Sequence, residues 1–349
     1  MNKLNIVILF GGCSSEYGVS LESAYSVISN MDSKKYNPIP VGITESGEWY
    51  LFSGDYNKII ENTWLNKTDC RPVILPPNRN EHRLLVFGKA KIEIVEIDAV
   101  FPVLHGKNGE DGTVQGLVTL AGLPLIGCGV LSSALCMDKD KAHRLASLSG
   151  VAVPRALSIS QQTSLNVISS FADLIGYPLF VKPVKSGSSY GVTKVQNNSE
   201  LADAVSNAFR YDDQVIVEEN IAGFEVGCAI MGSDTLTIGE LDEIELSSGF
   251  FDFVEKYTLK TSAIHVPARI NQKKSDEIKE TARKIYKALG CSGFARVDLF
   301  LTPDGTIVFN EVNTIPGFTE HSRFPGMMKA AGISFSEVLS FVIDGAVSK

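Results

Sequence analysis

Two hydrophobic periods divide the chain. In its first third, short apolar runs at Asn5–Phe10, Ile39–Ile43, Val73–Leu75 and Ala99–Leu104 alternate with stretches of helical spacing at Val19–Met31 and Gly112–Ala121. Pro124-Leu125-Ile126 begins another strand. Such alternation predicts an α/β domain with a doubly wound parallel sheet, whose ligands sit at the carboxyl ends of the strands. Gly11-Gly12 and His105-Gly106 fall at such ends. A helical stretch, Ala134–Ser149, stops at Gly150 and is followed by Pro154, which marks the entry to a second unit. That unit reads as strand Leu179–Pro183, a small-residue loop, helix Glu200–Phe209 and strand Gln214–Glu218. Beyond it the pattern is α+β, with antiparallel strands at Glu225–Met231, Thr235–Leu241, Ala295–Leu301 and Thr306–Asn313 and an amphipathic helix at Ser275–Leu289. Ser247–Ser262 has no clear period and predicts a long loop of the kind that serves as a lid. The expected organisation is an N-terminal domain over 1–130, a small central domain over 131–212 and a C-terminal domain over 213–349.

Composition narrows the function classes. With 349 residues, 44% hydrophobic and 21% charged, the chain is globular rather than disordered. Its net charge of −8 lacks the electrostatic footprint of a nucleic-acid binder. No apolar run approaches the roughly 18 residues of a membrane span, so no membrane partner is expected. Lys3, Leu4–Phe10 and Cys13 imitate a short lipoprotein signal, but Asn5 interrupts the run, and a buried parallel strand ending in a glycine turn explains it better. The six scattered cysteines read as reduced thiols of a cytoplasmic protein.

The sharpest chemical signal is the last strand pair. Alternation puts Arg296, Asp298 and Phe300 on one face of the first strand, and Ile307, Phe309, Glu311 and Asn313 on one face of the second. A two-residue turn within Thr302-Pro303-Asp304-Gly305 makes those faces coincide. Asp298, Glu311 and Asn313 then converge beside Arg296, an oxygen-donor set suited to Mg²⁺. A solvated face carrying an Arg–Glu pair is the plainer alternative. Lys182 and the loop Lys185–Gly191 form a second signal, a strand-borne cation before small residues that let backbone N–H groups reach phosphate oxygens. The chain holds neither a GxxxxGK[ST] nor a GxGxxG motif. Glu218, Glu219 and Glu225 could accept hydrogen bonds from a nucleotide, or be solvated acids.

Taken together these segments resemble the ATP-grasp fold and, within it, the D-alanine–D-alanine ligase family. The matching pieces are Gly11–Glu16 with Val19-Ser20, His105–Gly112, Met137-Asp138-Lys139, the Lys182 loop, Glu218–Glu225, Glu255-Lys256-Tyr257, Arg296 with Asp298, and Asn310–Gly317, in order along nearly the whole chain. The pattern is most similar to the vancomycin-resistance D-alanine–D-serine ligases of the VanG type. The resemblance implies that Lys139 and Lys182 hold ATP phosphates under a loop carrying Ser188 and Ser189, and that Lys256 also contacts ATP. It implies that Glu218 faces the adenine amino group and Glu225 the ribose. Asp298, Glu311 and Asn313 would hold two Mg²⁺ ions, with Mn²⁺ a substitute, and Arg296 would neutralise the transferring phosphoryl group. Glu16 would bind the first D-alanine's ammonium and connect through Ser188 to Tyr257. Val19 and His105 would flank that substrate, and Gly317 and Ser322 would meet the carboxylate of the second. A homodimer is common in the family.

The implied reaction is ATP-dependent joining of D-alanine to a second D-amino acid through an acyl phosphate, for peptidoglycan precursors and glycopeptide resistance. D-Alanine–D-alanine ligase, another ATP-grasp carboxylate–amine ligase and a nucleotide-binding regulator are the alternatives. An intact Tyr257 favours an amino acid over a hydroxy acid as second substrate. Arg323 stands where strict D-alanine–D-alanine ligases usually carry an apolar residue. Either its guanidinium donates to the hydroxyl of D-serine or it turns outward into solvent. Asp298 and Glu311 are expected to be partly exposed, so that neutral isosteres cost little stability.

Overall fold

Strand β1 (Leu4–Gly11) is buried from Ile6 onward, and the N-terminal sheet grows from it on both sides. The run imitating a signal is thus an interior strand. Helix α1 (Tyr17–Asn30) carries the chain to β2 (Tyr36–Ile43), which pairs parallel with β1. Then follow β3 (Trp49–Phe52), the single turn α2 (Asn57–Ile60), β4 (Cys70–Ile74), β5 (Arg83–Phe87), β6 (Ile92–Glu96) and β7 (Ala99–Pro102). β7 returns to the far side of β1, giving the order β6-β5-β4-β3-β2-β1-β7. The structure is a computed structural model and describes residues 3–187, 189–246 and 262–348. It corrects one expectation: the sheet is parallel only across β2-β1-β7, and β3 to β6 pair antiparallel. Of the links between those strands, the longer one from β3 to β4 carries only the single turn α2 and the others are short, whereas a parallel pair needs a full crossover. Pro124–Ile126 contributes only an isolated bridge, Val100 to Leu125.

Beyond α3 (Thr113–Leu120), the expected helix at 134–149 is two helices, α4 (Val130–Met137) and α5 (Lys139–Leu148). The break lies at Asp138, whose carboxylate caps α5 by accepting the Lys141 N–H at 3.0 Å. The central unit contains β8 (Ala156–Ser160), α6 (Leu165–Ile175), β9 (Leu179–Pro183), β10 (Thr193–Val195), α7 (Asn198–Ala208) and β11 (Gln214–Glu219). Its antiparallel sheet has the order β10-β9-β11-β8 over a core of its own that includes Ile159, Val181, Leu201 and Val215. Because β11 lies inside this sheet, the unit runs past the boundary expected at 212.

The C-terminal unit comprises β12 (Phe224–Gly232), β13 (Leu236–Leu246), β14 (Ser262–His265), α8 (Gln272–Ala288), β15 (Phe294–Leu301), β16 (Ile307–Asn313), α9 (Arg323–Ala330) and α10 (Phe335–Val347). Its antiparallel sheet has the order β14-β13-β12-β15-β16. Most of the expected lid, residues 247–261, lies outside the described residues, as do Lys256 and Tyr257.

The β15–β16 hairpin departs from the predicted turn. Leu301 pairs with Ile307, so the loop is the three residues Pro303-Asp304-Gly305, with Gly305 at φ +86°. That register alone would put Asn310 opposite Asp298 and turn Glu311 away. A β-bulge intervenes: Leu299 pairs with Phe309, but Asp298 pairs with Glu311 and Arg296 with Asn313. Ile307 and Phe309 therefore face the helix-covered core with Leu299, and only Glu311 and Asn313 share the face of Arg296 and Asp298.

One aromatic cluster joins the chain's two ends. Phe318 packs against Phe101, Phe294, Phe324 and Phe335, with ring centroids 5.0–5.9 Å apart. The same core takes in α1, β1, β7 and α10. Among the described residues no single helix is long and apolar enough to cross a membrane.

Candidate functional site

Two cavities meet in the cleft between the three units. The larger, about 470 Å³, runs between the central and C-terminal sheets and is lined by Phe180, Lys182, Glu218, Phe300 and Lys139. The smaller, about 320 Å³, lies against the N-terminal unit and is lined by Glu16, Val19, His105, Arg296, Ser322 and Arg323. Lys139, Ser186 and Glu311 line both. The linings thus include every predicted site residue that is described except Asp298, which lies buried behind Arg296 and Asn313; Ser188 lies outside the described residues.

In the larger cavity, adjacent antiparallel strands set Lys182 and Glu218 beside each other, and the two form a buried ion pair through Glu218 Oε1. Among the described residues, Glu218 Oε2 is buried with no hydrogen-bond partner. An unmet buried acceptor costs about 1–3 kcal/mol, and the amino group of an adenine packed between Phe180 and Phe300 is a donor of the right kind. Lys139 opens α5 with its Nζ 2.9 Å from Ser186 O and 3.6 Å from Glu311 Oε2. Ser189, at φ +58°, lines the same wall. Aromatic walls, a buried acceptor paired with Lys182 and a second lysine, Lys139, on the wall shared with the smaller cavity fit a nucleoside triphosphate.

In the smaller cavity Glu16 stands at the N-terminus of α1, almost buried, against two glycine backbones. A Cβ at Gly106 or at Gly187 would lie 2.6 Å from Glu16 Oε2, so a side chain at either position would displace the carboxylate. The His105 ring is fixed on both sides: Nδ1 lies 2.9 Å from Ile315 O, and Nε2 lies 3.1 Å from Ser23 Oγ. A carbonyl only accepts, so Nδ1 carries the proton and Nε2 accepts from the Ser23 hydroxyl. Burial pushes this histidine below its ordinary value, although Glu16 opposes the shift, and the ring is neutral. Sequence reasoning named the segment around Glu110 but missed the residue's role. Its carboxylate accepts the N–H groups of Gly106 at 2.9 Å and Ile315 at 3.0 Å, tying the His105 loop to the segment after β16. Burial first, and Glu16 second, push it up to about 8 despite those two bonds.

At the junction Asp298 is buried and encircled. Arg296 Nε and Nη2 hold its two oxygens at 2.8 Å, Asn313 Nδ2 donates at 2.8 Å, and Arg323 Nη2 lies 3.4 Å away. The expectation that Asp298 is partly exposed is therefore wrong. Its strand sits inside the sheet, and only counter-charges make a buried carboxylate tolerable there. Arg323 does not point into solvent either. Its Nε and Nη2 grip Asp242 at 2.6 and 2.8 Å, while Nη1 meets Glu225 at 2.8 Å. Burial pushes Asp242 up, but the Arg323 guanidinium outweighs it and holds the carboxyl below its ordinary value. Asp242 was not foreseen. The one available signal was its place in the alternation of β13, just beyond the predicted strand end. Glu225, expected at a ribose, lines the larger cavity and also holds Arg323.

Asp298, Glu311 and Asn313 offer the oxygen donors a hard cation takes. Among the described residues no three acidic, histidine or cysteine side chains stand in a ready metal geometry. The predicted set holds only two acids and an amide, and Arg296 and the Asn313 amide nitrogen both donate to Asp298.

Comparison with known proteins decides the family. Residues 5–128 match the D-ala D-ala ligase N-terminus and residues 147–344 the D-ala D-ala ligase C-terminus. The chain belongs to the D-alanine–D-alanine ligase family. It is an enzyme of that family, whose members form a peptide bond, depend on ATP and generally use Mg²⁺. The crystal structure of VanG D-Ala:D-Ser ligase from Enterococcus faecalis is 53% identical, covers 99% of this chain and 100% of that chain, and superposes with a TM-score of 0.92. The vancomycin B-type resistance protein VanB of Enterococcus faecalis is 44% identical over 100% of both chains. The D-alanine–D-alanine ligase of Caldicellulosiruptor bescii is 41% identical over 100% of this chain and 96% of its own. In this ligase the ATP-grasp elements are thus the two sheets that enclose the larger cavity.

Two outcomes follow from the geometry. Asp298→Asn and Glu311→Gln both abolish turnover, but only Asp298→Asn also lowers folding stability. It leaves two buried guanidinium groups short of charge, an effect of about 3 kcal/mol, whereas Glu311 is 21% exposed. Urea unfolding of both variants separates them. The second outcome concerns Glu110. Its folded value lies above the unfolded 4.5, so its contribution to stability is full below 4.5 and is lost as pH rises through about 8. Glu110→Gln removes that fall, which denaturation of the substrate-free protein across the window measures.

Proposed function

We propose that this ligase activates the carboxylate of D-alanine by phosphoryl transfer from ATP and joins it to D-serine. The observation that supports this reading is the shared wall of the two cavities. A nucleotide whose adenine meets Glu218 extends its phosphates past Lys182 to Lys139, where the amino-acid cavity begins. Glu16 receives the ammonium of D-alanine, and His105, neutral and fixed, shapes the wall beside it. The D-alanine carboxylate oxygen takes the γ-phosphoryl group, ADP leaves, and the amine of the second substrate attacks the acyl phosphate. Inorganic phosphate departs as the peptide bond forms. Phosphoryl transfer needs positioning and charge neutralisation more than covalent help, and Arg296 and Lys139 supply both. Asp298, Glu311 and Asn313 are the side chains for two Mg²⁺ ions, which neutralise the phosphate oxygens when bound. Ser322, Gly317 and Arg323 serve the second substrate, and Ser188, Lys256 and Tyr257 keep the roles the family pattern gives them.

Arg323 favours D-serine. The residue lines the amino-acid cavity, and Asp242 and Glu225 hold its guanidinium, so a donor-bearing side chain stands where an apolar residue would offer none. The VanG neighbour supports the same choice. D-Alanine as the second substrate is the competing reading, favoured by the Caldicellulosiruptor bescii relative. We read the protein as cytoplasmic, in keeping with six free thiols, and as a homodimer through the exposed Phe87, Ile92 and Ile94 at the free edge of the N-terminal sheet.

Mass spectrometry of products from equal D-serine and D-alanine tests the specificity. D-Alanyl-D-serine dominates, since a site built to bind a hydroxyl discriminates far more than the roughly hundredfold of an apolar pocket. Arg323→Leu alone strands buried Asp242, so the reverting variant is Asp242→Asn/Arg323→Leu, which shifts product towards D-alanyl-D-alanine. Mainly D-alanyl-D-alanine from the wild type would remove D-serine and leave the ligase. Arg296→Lys keeps the charge but loses the planar fork. It lowers kcat by about a hundredfold or more with little change in KM, the mark of a contact made in the transition state.

A further inference from the structure

Strand β16 owes its chemical face to one inserted residue. Without the bulge at Asn310, the three-residue turn would set Asn310 opposite Asp298 and swing Glu311 and Asn313 towards the core that Phe309 fills. A bulge takes a backbone group out of the ladder, and a buried carbonyl must find another donor. Here Asn310 O is met by His143 Nε2 at 2.7 Å. The carbonyl only accepts, so the Nε2 proton points at the bulge, and Nδ1 is left buried with no partner among the described residues. The His143 ring is nearly enclosed and stands edge-on to Phe309, with centroids 5.4 Å apart at 74°. His143 lies one helical turn beyond Lys139 on α5, on the same face. α5 therefore grips β16 twice, Lys139 at the Glu311 carboxylate and His143 at the backbone one residue earlier. Among the described residues the ring makes no other hydrogen bond. A histidine kept buried with one nitrogen unsatisfied is expensive for a bond that served packing alone.

We propose that His143 is a positioning residue for the divalent-cation site, fixing the Asn310 bulge and so the side of β16 from which Glu311 and Asn313 project. The inference rests on the reading of those two residues as cation ligands. His143 touches neither substrate nor cation; it acts through the strand.

The test compares His143→Gln with His143→Asn in the full-length protein. The glutamine amide nitrogen can stand where Nε2 does, whereas asparagine is too short to reach. Mn²⁺ affinity is measured by electron paramagnetic resonance with a non-hydrolysable ATP analogue present. His143→Asn weakens Mn²⁺ binding by about tenfold or more, the usual loss when support behind a metal ligand is removed. His143→Gln retains wild-type affinity, and the KM for D-alanine is unchanged in both. Equal Mn²⁺ affinity in the two variants overturns the proposal. So does a His143→Asn protein that fails to fold beside a folded His143→Gln, since the bond would then serve the fold at large. Glu311→Gln, measured in parallel, separates the premises: wild-type Mn²⁺ binding there would remove the cation reading itself.

Discussion

A carboxylate with about 1% of its surface exposed can stay charged only if its surroundings are built for it, and Asp298 imposes that condition on everything near it. Arg296 meets it from the same strand, two residues away, and Asn313 from the neighbouring strand. Arg323 approaches from α9 and brings its own requirement, which Asp242 on β13 and Glu225 on β12 satisfy. Three carboxylates around two guanidinium groups leave one negative charge over. A divalent cation more than cancels that surplus, and the new positive excess is what a triphosphate needs. On the proposed reading, the charge network links cation and nucleotide occupancy.

The arrangement also explains why the site sits at a junction rather than within one unit. Lys182 and Glu218 come from the small central sheet, Asp298 and Glu311 from the C-terminal sheet, and Glu16 and His105 from the loops at the ends of β1 and β7. Each unit folds around its own alternating strands, and none carries the chemistry alone. Lys139 and the backbone of Ser186 stand where the three meet.

Much of this was legible in the sequence because alternation along a strand is a strong local signal. Arg296 with Asp298, the Lys182 strand and the glycine turns after β1 and before α3 are recognisable from residue types within a few positions. The convergence of Asp298 with Glu311 was inferred through a turn one residue too short, and the bulge at Asn310 restored the parity that the longer turn removed. Nothing in Asn310 itself announces a bulge; its partner His143 lies 167 positions away. Distance along the chain hid the Arg323–Asp242 pair in the same way, since burying an arginine depends on an acid 81 residues earlier. The antiparallel half of the N-terminal sheet was obscured for a different reason. Of its strands only the run Val73–Leu75 was read from the sequence, and three apolar residues do not distinguish an antiparallel strand from a parallel one.

The Phe318 cluster has a consequence for motion. Phe318 belongs to the segment that follows the cation strand, yet it shares a core with Phe101 of the N-terminal sheet and Phe335 of the last helix. The first and third units are therefore welded by a dry aromatic seam, and sliding one past the other would open that seam to water. The central sheet keeps a separate core, and none of its strands or helices packs closely on an element of the other two units. By shared cores, the described residues form two bodies rather than three. On the proposed reading the nucleotide lies between those bodies, while both amino-acid positions belong to the one that the aromatic seam holds together.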